Sequence, residues 1–267
     1  MMIKRIICLI FWVAAIVPSF ALDPQAILKK VDEHRAVSMS FKFRLRIEDF
    51  GKEGLLQSAT MTGYAQGLGK TMVQYDEPAN MRGKKLLMVG DELFIFIPKT
   101  QRPVRLTASQ RLMGQASNGD VMNVRFQSDY QAELGGEESV TADGKDRDCF
   151  IMDLRAKRQS SPYNRIVLWV EKETYLPVKA DCYALSGKKL KSVEYSLAKE
   201  FEGKRIVSRA TLRDLVLRDA YTVVDFLDMT FRQQPLAHWM TWLDTLDICY
   251  GPVTTLPEAI ADTHLAK

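Results

Sequence analysis

The stretch Met39-Ser40-Phe41-Lys42-Phe43-Arg44-Leu45-Arg46-Ile47 decides the fold. Met39, Phe41, Phe43, Leu45 and Ile47 alternate with Ser40, Lys42, Arg44 and Arg46, a period of two that sets five apolar side chains on one face of a strand. The other face is polar and faces water. Such a strand belongs to a sheet that packs on one side only, the usual condition of antiparallel architecture.

Reading outward toward the N-terminus, Asp23-Pro24 followed by Ala26, Ile27, Leu28 and Val31 predicts a capped helix that ends near Arg35. Toward the C-terminus, Gly51 to Gly54 is a turn. Leu55 to Ala65 and Lys70 to Tyr75 then form a hairpin around Gly67 and Gly69. Short strands follow at Lys85 to Val89, Leu93 to Ile97 and Val104 to Leu106, separated by Gly90-Asp91 and a loop over Pro98 to Arg102. Thr107 to Ala116 breaks this rhythm and predicts a short helix with Leu112 and Met113 as its apolar residues, followed by a loop over Ser117-Asn118-Gly119-Asp120. Further strands are predicted at Cys149 to Leu154, Arg165 to Val170, Pro177 to Ala184, Lys188 to Leu197, Arg205 to Leu217 and Tyr221 to Arg232, with turns such as Ala142-Asp143-Gly144 and Leu185-Ser186-Gly187. Roughly ten to twelve strands and two or three helical pieces define an α+β class, mostly antiparallel β, curled into an incomplete, open β-barrel. No linker divides residues 22–234, so they form one domain.

Two flanking segments differ. Met1 to Arg5 carries two positive charges, Ile6 to Phe20 is apolar, and Ser19-Phe20-Ala21 suits a cut, so residues 1–21 read as a signal peptide cleaved after Ala21. The apolar run of about 15 residues is shorter than the roughly 20 that a spanning helix needs. The expectation is an exported protein, periplasmic and soluble after cleavage. From Pro235 onward, Leu236, Trp239, Met240, Leu243 and Leu246 fall at helical spacing beside Trp242, and Tyr250-Gly251-Pro252 ends the run. Residues 235–267 are expected to be a C-terminal helical tail.

Composition excludes several functions. The chain of 267 residues is 46% hydrophobic and 26% charged, an ordinary globular balance. Its net charge of +4 falls to +2 once Lys4 and Arg5 leave with the leader, which is no nucleic-acid footprint. His34, His238 and His264 stand apart, with neither a His-x-x-x-His pair nor cysteines at zinc spacing. No Gly-x-Ser-x-Gly elbow supplies a nucleophile. Gly69-Lys70-Thr71 ends like a phosphate loop, but Tyr64 stands where that motif requires glycine. Glu137-Glu138 sits in turn-like sequence without a pocket signature. The expectation is a protein that is not an enzyme and takes no metal and no cofactor. Outside the leader the cysteines are Cys149, Cys182 and Cys249. A Cys149–Cys182 bridge on nearby strands and three reduced thiols are both open.

What the sequence offers instead is grease and positive charge. Between Arg82 and Arg111 seven basic residues meet only Asp91 and Glu92, a local charge of +5. That patch suits anionic headgroups or an acidic partner surface, as it suits a solvated strand face. The same segment carries Leu86, Leu87, Leu93, Phe94, Ile95, Phe96 and Ile97, too apolar for a sheet wetted on one side. A core explains this, and so does a curved sheet with an apolar cavity.

These residues resemble a known family. Pro78-Ala79-Asn80-Met81-Arg82-Gly83-Lys84-Lys85-Leu86-Leu87, then Gly90-Asp91-Glu92-Leu93-Phe94-Ile95-Phe96-Ile97-Pro98, Arg102, Arg105-Leu106 and Arg111, look like the outer-membrane lipoprotein-sorting, LolA-like family. Cys149, Tyr163, Arg165-Ile166, Leu168-Trp169-Val170, Pro177-Val178-Lys179 and Gly187-Lys188 follow in the same order, so the resemblance spans roughly Leu28 to Leu217. It implies an open barrel with a helical lid, enclosing an apolar cavity for the acyl chains of lipoproteins or lipids. It further implies an inner-membrane transporter, of the resistance-nodulation-division type, and an outer-membrane acceptor as partners, with peripheral membrane contact and no nucleic acid. On this reading Phe94, Phe96, Leu112, Met113 and Trp169 line the cavity or lid, and Arg82, Arg105 and Arg111 form a rim for headgroups or a partner. Gly119 to Tyr130 lacks the acidic, aromatic sequence common after the lid glycine, and the tail beyond Arg232 has no counterpart. The alternative is an envelope sensor or adaptor that uses the same fold to bind a partner protein.

Overall fold

The computed structural model describes residues 22–34, 40–66, 69–98, 100, 102–107, 109–122, 125–201, 204–214 and 220–231. The expected leader and C-terminal tail, and Cys249, lie outside these residues. Helix α1 (Pro24–Glu33) begins as its sequence predicts: Asp23 accepts a hydrogen bond from the Gln25 amide at 2.9 Å, and Ile27, Leu28 and Val31 face the core.

Strand β1 (Phe41–Gly51) buries Phe41, Phe43, Leu45 and Ile47 and turns Lys42 and Arg44 to water. It runs through a two-residue turn into β2 (Gly54–Gln66), followed by β3 (Lys70–Glu77), β4 (Lys85–Val89), β5 (Glu92–Phe96) and β6 (Val104–Leu106). A small hairpin, β7 (Arg111–Met113) and β8 (Ala116–Ser117), leads to two short helices, α2 (Asn118–Met122) and α3 (Phe126–Asp129). The second half is a meander of long strands: β9 (Tyr130–Ala142), β10 (Lys145–Ala156), β11 (Arg165–Glu171), β12 (Pro177–Tyr183), β13 (Lys189–Phe201), β14 (Lys204–Asp214) and β15 (Tyr221–Phe231).

Thirteen of these strands form one antiparallel sheet in the order β6-β5-β4-β3-β2-β1-β15-β14-β13-β12-β11-β10-β9. The last strand returns to pair with the first in the middle, with Ile47 opposite Val224. The edges β6 and β9 are not paired with each other, so the sheet is not closed. It is nonetheless strongly curled. Laid flat at about 4.8 Å per strand, β4 and β10 would stand about 43 Å apart. Yet Arg158, in the loop after β10, pairs with both Asp91, in the turn after β4, and Asp129, in α3. The curl gathers inward-facing residues from Leu93 to Ala132 into a single core.

One expectation is corrected. Thr107 to Ala116 is not a helix: it contains β7 and the turn to β8, and the helix starts at Asn118, in the stretch expected to be a loop. Gly114 causes this. Its φ is +52°, and a Cβ there would stand 2.1 Å from Asp49 Oδ1, so the chain reverses tightly against the sheet. Ser117 and Asp120 then start α2, the Asp120 carboxylate accepting from the Ser117 amide and hydroxyl, both at 2.8 Å. Of the two states left open for Cys149 and Cys182, the unbridged one is observed, for no disulfide joins them. Cys182 pairs in register with Ile166 on the inner face, whereas Cys149 is opposite Glu171 on the outer face, with β11 between them.

Candidate ligand pocket

The inner face of the sheet is apolar because every second residue along β1, β11, β12 and β15 is apolar, and the curl turns these rows toward one another. Where they converge lies a pocket of about 80 Å³. Phe41, Phe43, Val224 and Phe226 form one wall from β1 and β15, and Ile166, Ala180 and Cys182 form another from β11 and β12. Asp120 and Val121 of α2 and Phe126 of α3 are also part of the lining, so both short helices contribute to the pocket. The Phe43 ring reaches its position across β2 only because residue 63 is glycine. A Cβ there would stand 2.1 Å from the ring.

One side of the pocket is polar. Asp120 accepts hydrogen bonds from Lys191 Nζ and from the Tyr163 hydroxyl, each at 2.7 Å, and Lys191 also donates to the Gln115 carbonyl at 2.7 Å. Both members of the ion pair are about nine-tenths buried. Burial alone would raise the Asp120 pKa. The Lys191 charge and the hydrogen bonds from Lys191, Ser117 and Tyr163 outweigh it and hold the carboxyl below its ordinary value. Tyr163 moves the other way, pushed up by burial and by the neighbouring Asp120 charge. This cluster ties α2 to β13. A second tie runs through Thr222, which donates to Asp49 at 2.8 Å and accepts from the Gln115 amide at 2.7 Å.

No catalytic arrangement follows from these groups. Asp120 is consumed by its donors, and burial and Glu171 push the Cys149 thiol up to about 11, far from a reactive thiolate. Among the described residues no group of three His, Cys, Asp or Glu could hold a metal ion.

The residues expected at a cavity fall in two places. Met113 is buried in the core and Leu112 packs against it, both on the β7–β8 hairpin that leads into α2. Phe94, Phe96 and Trp169 are half-buried and lie on the outer face, each alternating with an inward neighbour: Leu93 and Ile95, or Leu168 and Val170. Trp169 donates to Glu138 at 2.7 Å, with Lys179 stacked 4.6 Å from its ring centre. Arg82 and Arg105 are exposed. Arg82 donates to the Asp76 carbonyl, and Arg105 pairs with Glu92 at 3.0 Å. Arg111 holds a place opposite Ser117 in the hairpin. Sequence reasoning missed the actual lining from β1 and β15, although the alternation of Phe41 and Phe43 was its clearest signal.

An open, mostly antiparallel sheet thus curls around a largely apolar pocket that α2 and α3 help to line. The chain belongs to the LolA superfamily. It is 32% identical to a LolA superfamily protein from Nitrosomonas europaea, with a TM-score of 0.74 over 80% of this chain and 96% of that one. A family model described as "Uncharacterized protein" matches residues 67–237. The fold is shared by a DUF1329 family protein from Desulfovibrio piger at 21% identity, TM-score 0.70, covering 81% of this chain and 95% of that one. It is also shared by a domain from Vibrio parahaemolyticus described as an outer membrane lipoprotein-sorting protein, at 15% identity, TM-score 0.70, covering 82% and 97%. No curated protein matches the chain. Among the described residues no helix is long and apolar enough to cross a membrane.

Proposed function

We propose that this protein is a periplasmic carrier that takes the acyl chains of lipoproteins or lipids into the pocket and delivers them toward the outer membrane. The observation that carries this reading is the apolar lining of the pocket, from Phe41 and Phe43 through Phe126 to Val224 and Phe226. Each methylene moved from water into such a lining is worth about 0.8 kcal/mol, so an acyl chain binds without any covalent step. The β7–β8 hairpin with α2 and α3 acts as the lid, and Leu112 and Met113 anchor it. Release follows when a membrane or acceptor competes for the chain. Arg82, Arg105 and Arg111 serve as the rim that meets headgroups or a partner. An inner-membrane transporter and an outer-membrane acceptor are the donor and recipient on this reading.

Native mass spectrometry of the protein, purified from the periplasm without detergent, tests the proposal. A stoichiometric phospholipid or acylated peptide supports it. An empty protein that also fails to take up a fluorescent acyl probe overturns it in favour of an adaptor that binds protein. Phe226→Glu, which places a charge in the lining, is expected to lower probe uptake at least tenfold while the far-ultraviolet spectrum of the folded sheet persists.

A further inference from the structure

The outer face of β2 to β5 carries an apolar row that the pocket does not use. In register, Tyr64 of β2 lies beside Met72 of β3, Met72 beside Leu87 of β4, and Leu87 beside Phe94 of β5. All four point away from the core, yet Met72 is only 5% exposed and the other three are half-buried. Lysines border the row: Lys42 of β1 lies opposite Tyr64, and Lys70 and Lys85 stand two residues from Met72 and Leu87 on the same face of β3 and β4. We infer that this outer row is the docking site of the chain's own C-terminal segment, residues 235–267.

Position, length and charge agree. Strand β15 ends at Phe231, opposite Phe41, and Phe41 is opposite Ala65, the immediate neighbour of Tyr64. The chain therefore leaves the sheet level with the row and two strands to its side. Bridging from β15 to β2 requires about 10 Å, within reach of the residues between Phe231 and Leu236 at up to about 3.5 Å each. The segment Leu236 to Leu246, with Trp239, Met240 and Leu243 at helical spacing, is about 16 Å long as a helix. Crossing from β2 to β5 takes about 14 Å. From Pro235 onward the chain carries Asp244, Asp247, Glu258 and Asp262 against Lys267 alone, opposite in sign to the bordering lysines.

The test uses the full chain with Trp12 and Trp169 replaced by phenylalanine, so that Trp239 and Trp242 report alone. Docking predicts a blue-shifted emission maximum and slow proteolysis after Pro235. In Met72→Lys, and independently in Leu87→Lys, emission shifts to the red and cleavage of the tail accelerates at least tenfold, while urea unfolding of the sheet stays cooperative. A tail that is red-shifted and rapidly cleaved before any substitution overturns the inference. So does an emission maximum that shifts with protein concentration, the mark of a second copy, or only when vesicles of anionic phospholipid are added. Should a lysine variant fail to fold, Trp239→Ala with Leu243→Ala must release the tail to the same cleavage rate, and unchanged cleavage then overturns it. None of these outcomes depends on whether the pocket takes acyl chains.

Discussion

Lys191 and Asp120 form a pair that neither residue could sustain alone. Removing one partner of a buried ion pair costs about 3–5 kcal/mol because the other charge stays behind. Lys191→Met is expected to lose stability of that order in urea unfolding at pH 7, and Lys191→Met with Asp120→Asn to recover most of it. The pH dependence has a definite sign. Asp120 has a lower pKa folded than unfolded, so its contribution is complete above the unfolded value of about 4 and fades as the pH falls through the folded value. In Lys191→Met the unpaired carboxylate is better protonated, and acid relieves it. The stability gap between the two proteins should shrink from pH 7 to pH 3, and a constant gap would refute the pairing. Gly63→Ala is a second test at this scale. The added methyl must displace the Phe43 ring, at an expected cost of about 1–3 kcal/mol, measured by the same unfolding titration. Neither site was legible beforehand, because Asp120 and Lys191 are 71 residues apart and a strand glycine does not announce which ring lies over it.

At the level of elements, alternation was enough for most of the sheet. Strand β1 and the strands from β10 onward stand within a few residues of where period and turn residues place them, and Asp143 and Gly144, at φ +52° and +71°, make the β9–β10 turn that Ala142-Asp143-Gly144 suggests. Strand β9 went unread because it is an edge. Glu133, Glu137 and Glu138 replace an apolar face, Gly135-Gly136 adds an irregularity, and such features deter pairing with another chain. Gln25 of α1 occupies part of that edge, donating to the Tyr130 carbonyl at 2.9 Å and accepting from the Ala132 amide at 3.1 Å. Helix α3 was equally hidden, since its cap comes from another element. Asp32 of α1 accepts from the amides of Phe126 and Gln127 at 3.0 and 2.9 Å. Asp32→Ala is expected to cost about 1 kcal/mol and to speed amide exchange at Phe126 and Gln127. Unchanged exchange there would show that packing alone holds α3 on α1.

For the whole molecule, class and openness could be read from the sequence, whereas the concave face could not. Alternation says which residues share a side; only the direction of curl says which side holds the pocket. That curl is marked by Arg158, which joins the β4–β5 turn to α3 across the gap in the sheet. Its side chain is substantially exposed, so Arg158→Ala should cost less than about 1 kcal/mol in thermal unfolding. A larger loss would mean that the pair holds the sheet curled rather than recording its shape.

The pairing of β1 with β15 also orders events in time. A chain emerging from its N-terminus presents β1 early, but the strand that completes the centre of the sheet arrives some 180 residues later. Until then β1 through β6 can assemble on one side only, with the Phe41 and Phe43 row uncovered. Such distant pairing places the protein among slow folders, on the scale of milliseconds to seconds. The unfinished chain therefore keeps the Phe41 and Phe43 row open to solvent until β15 has been made.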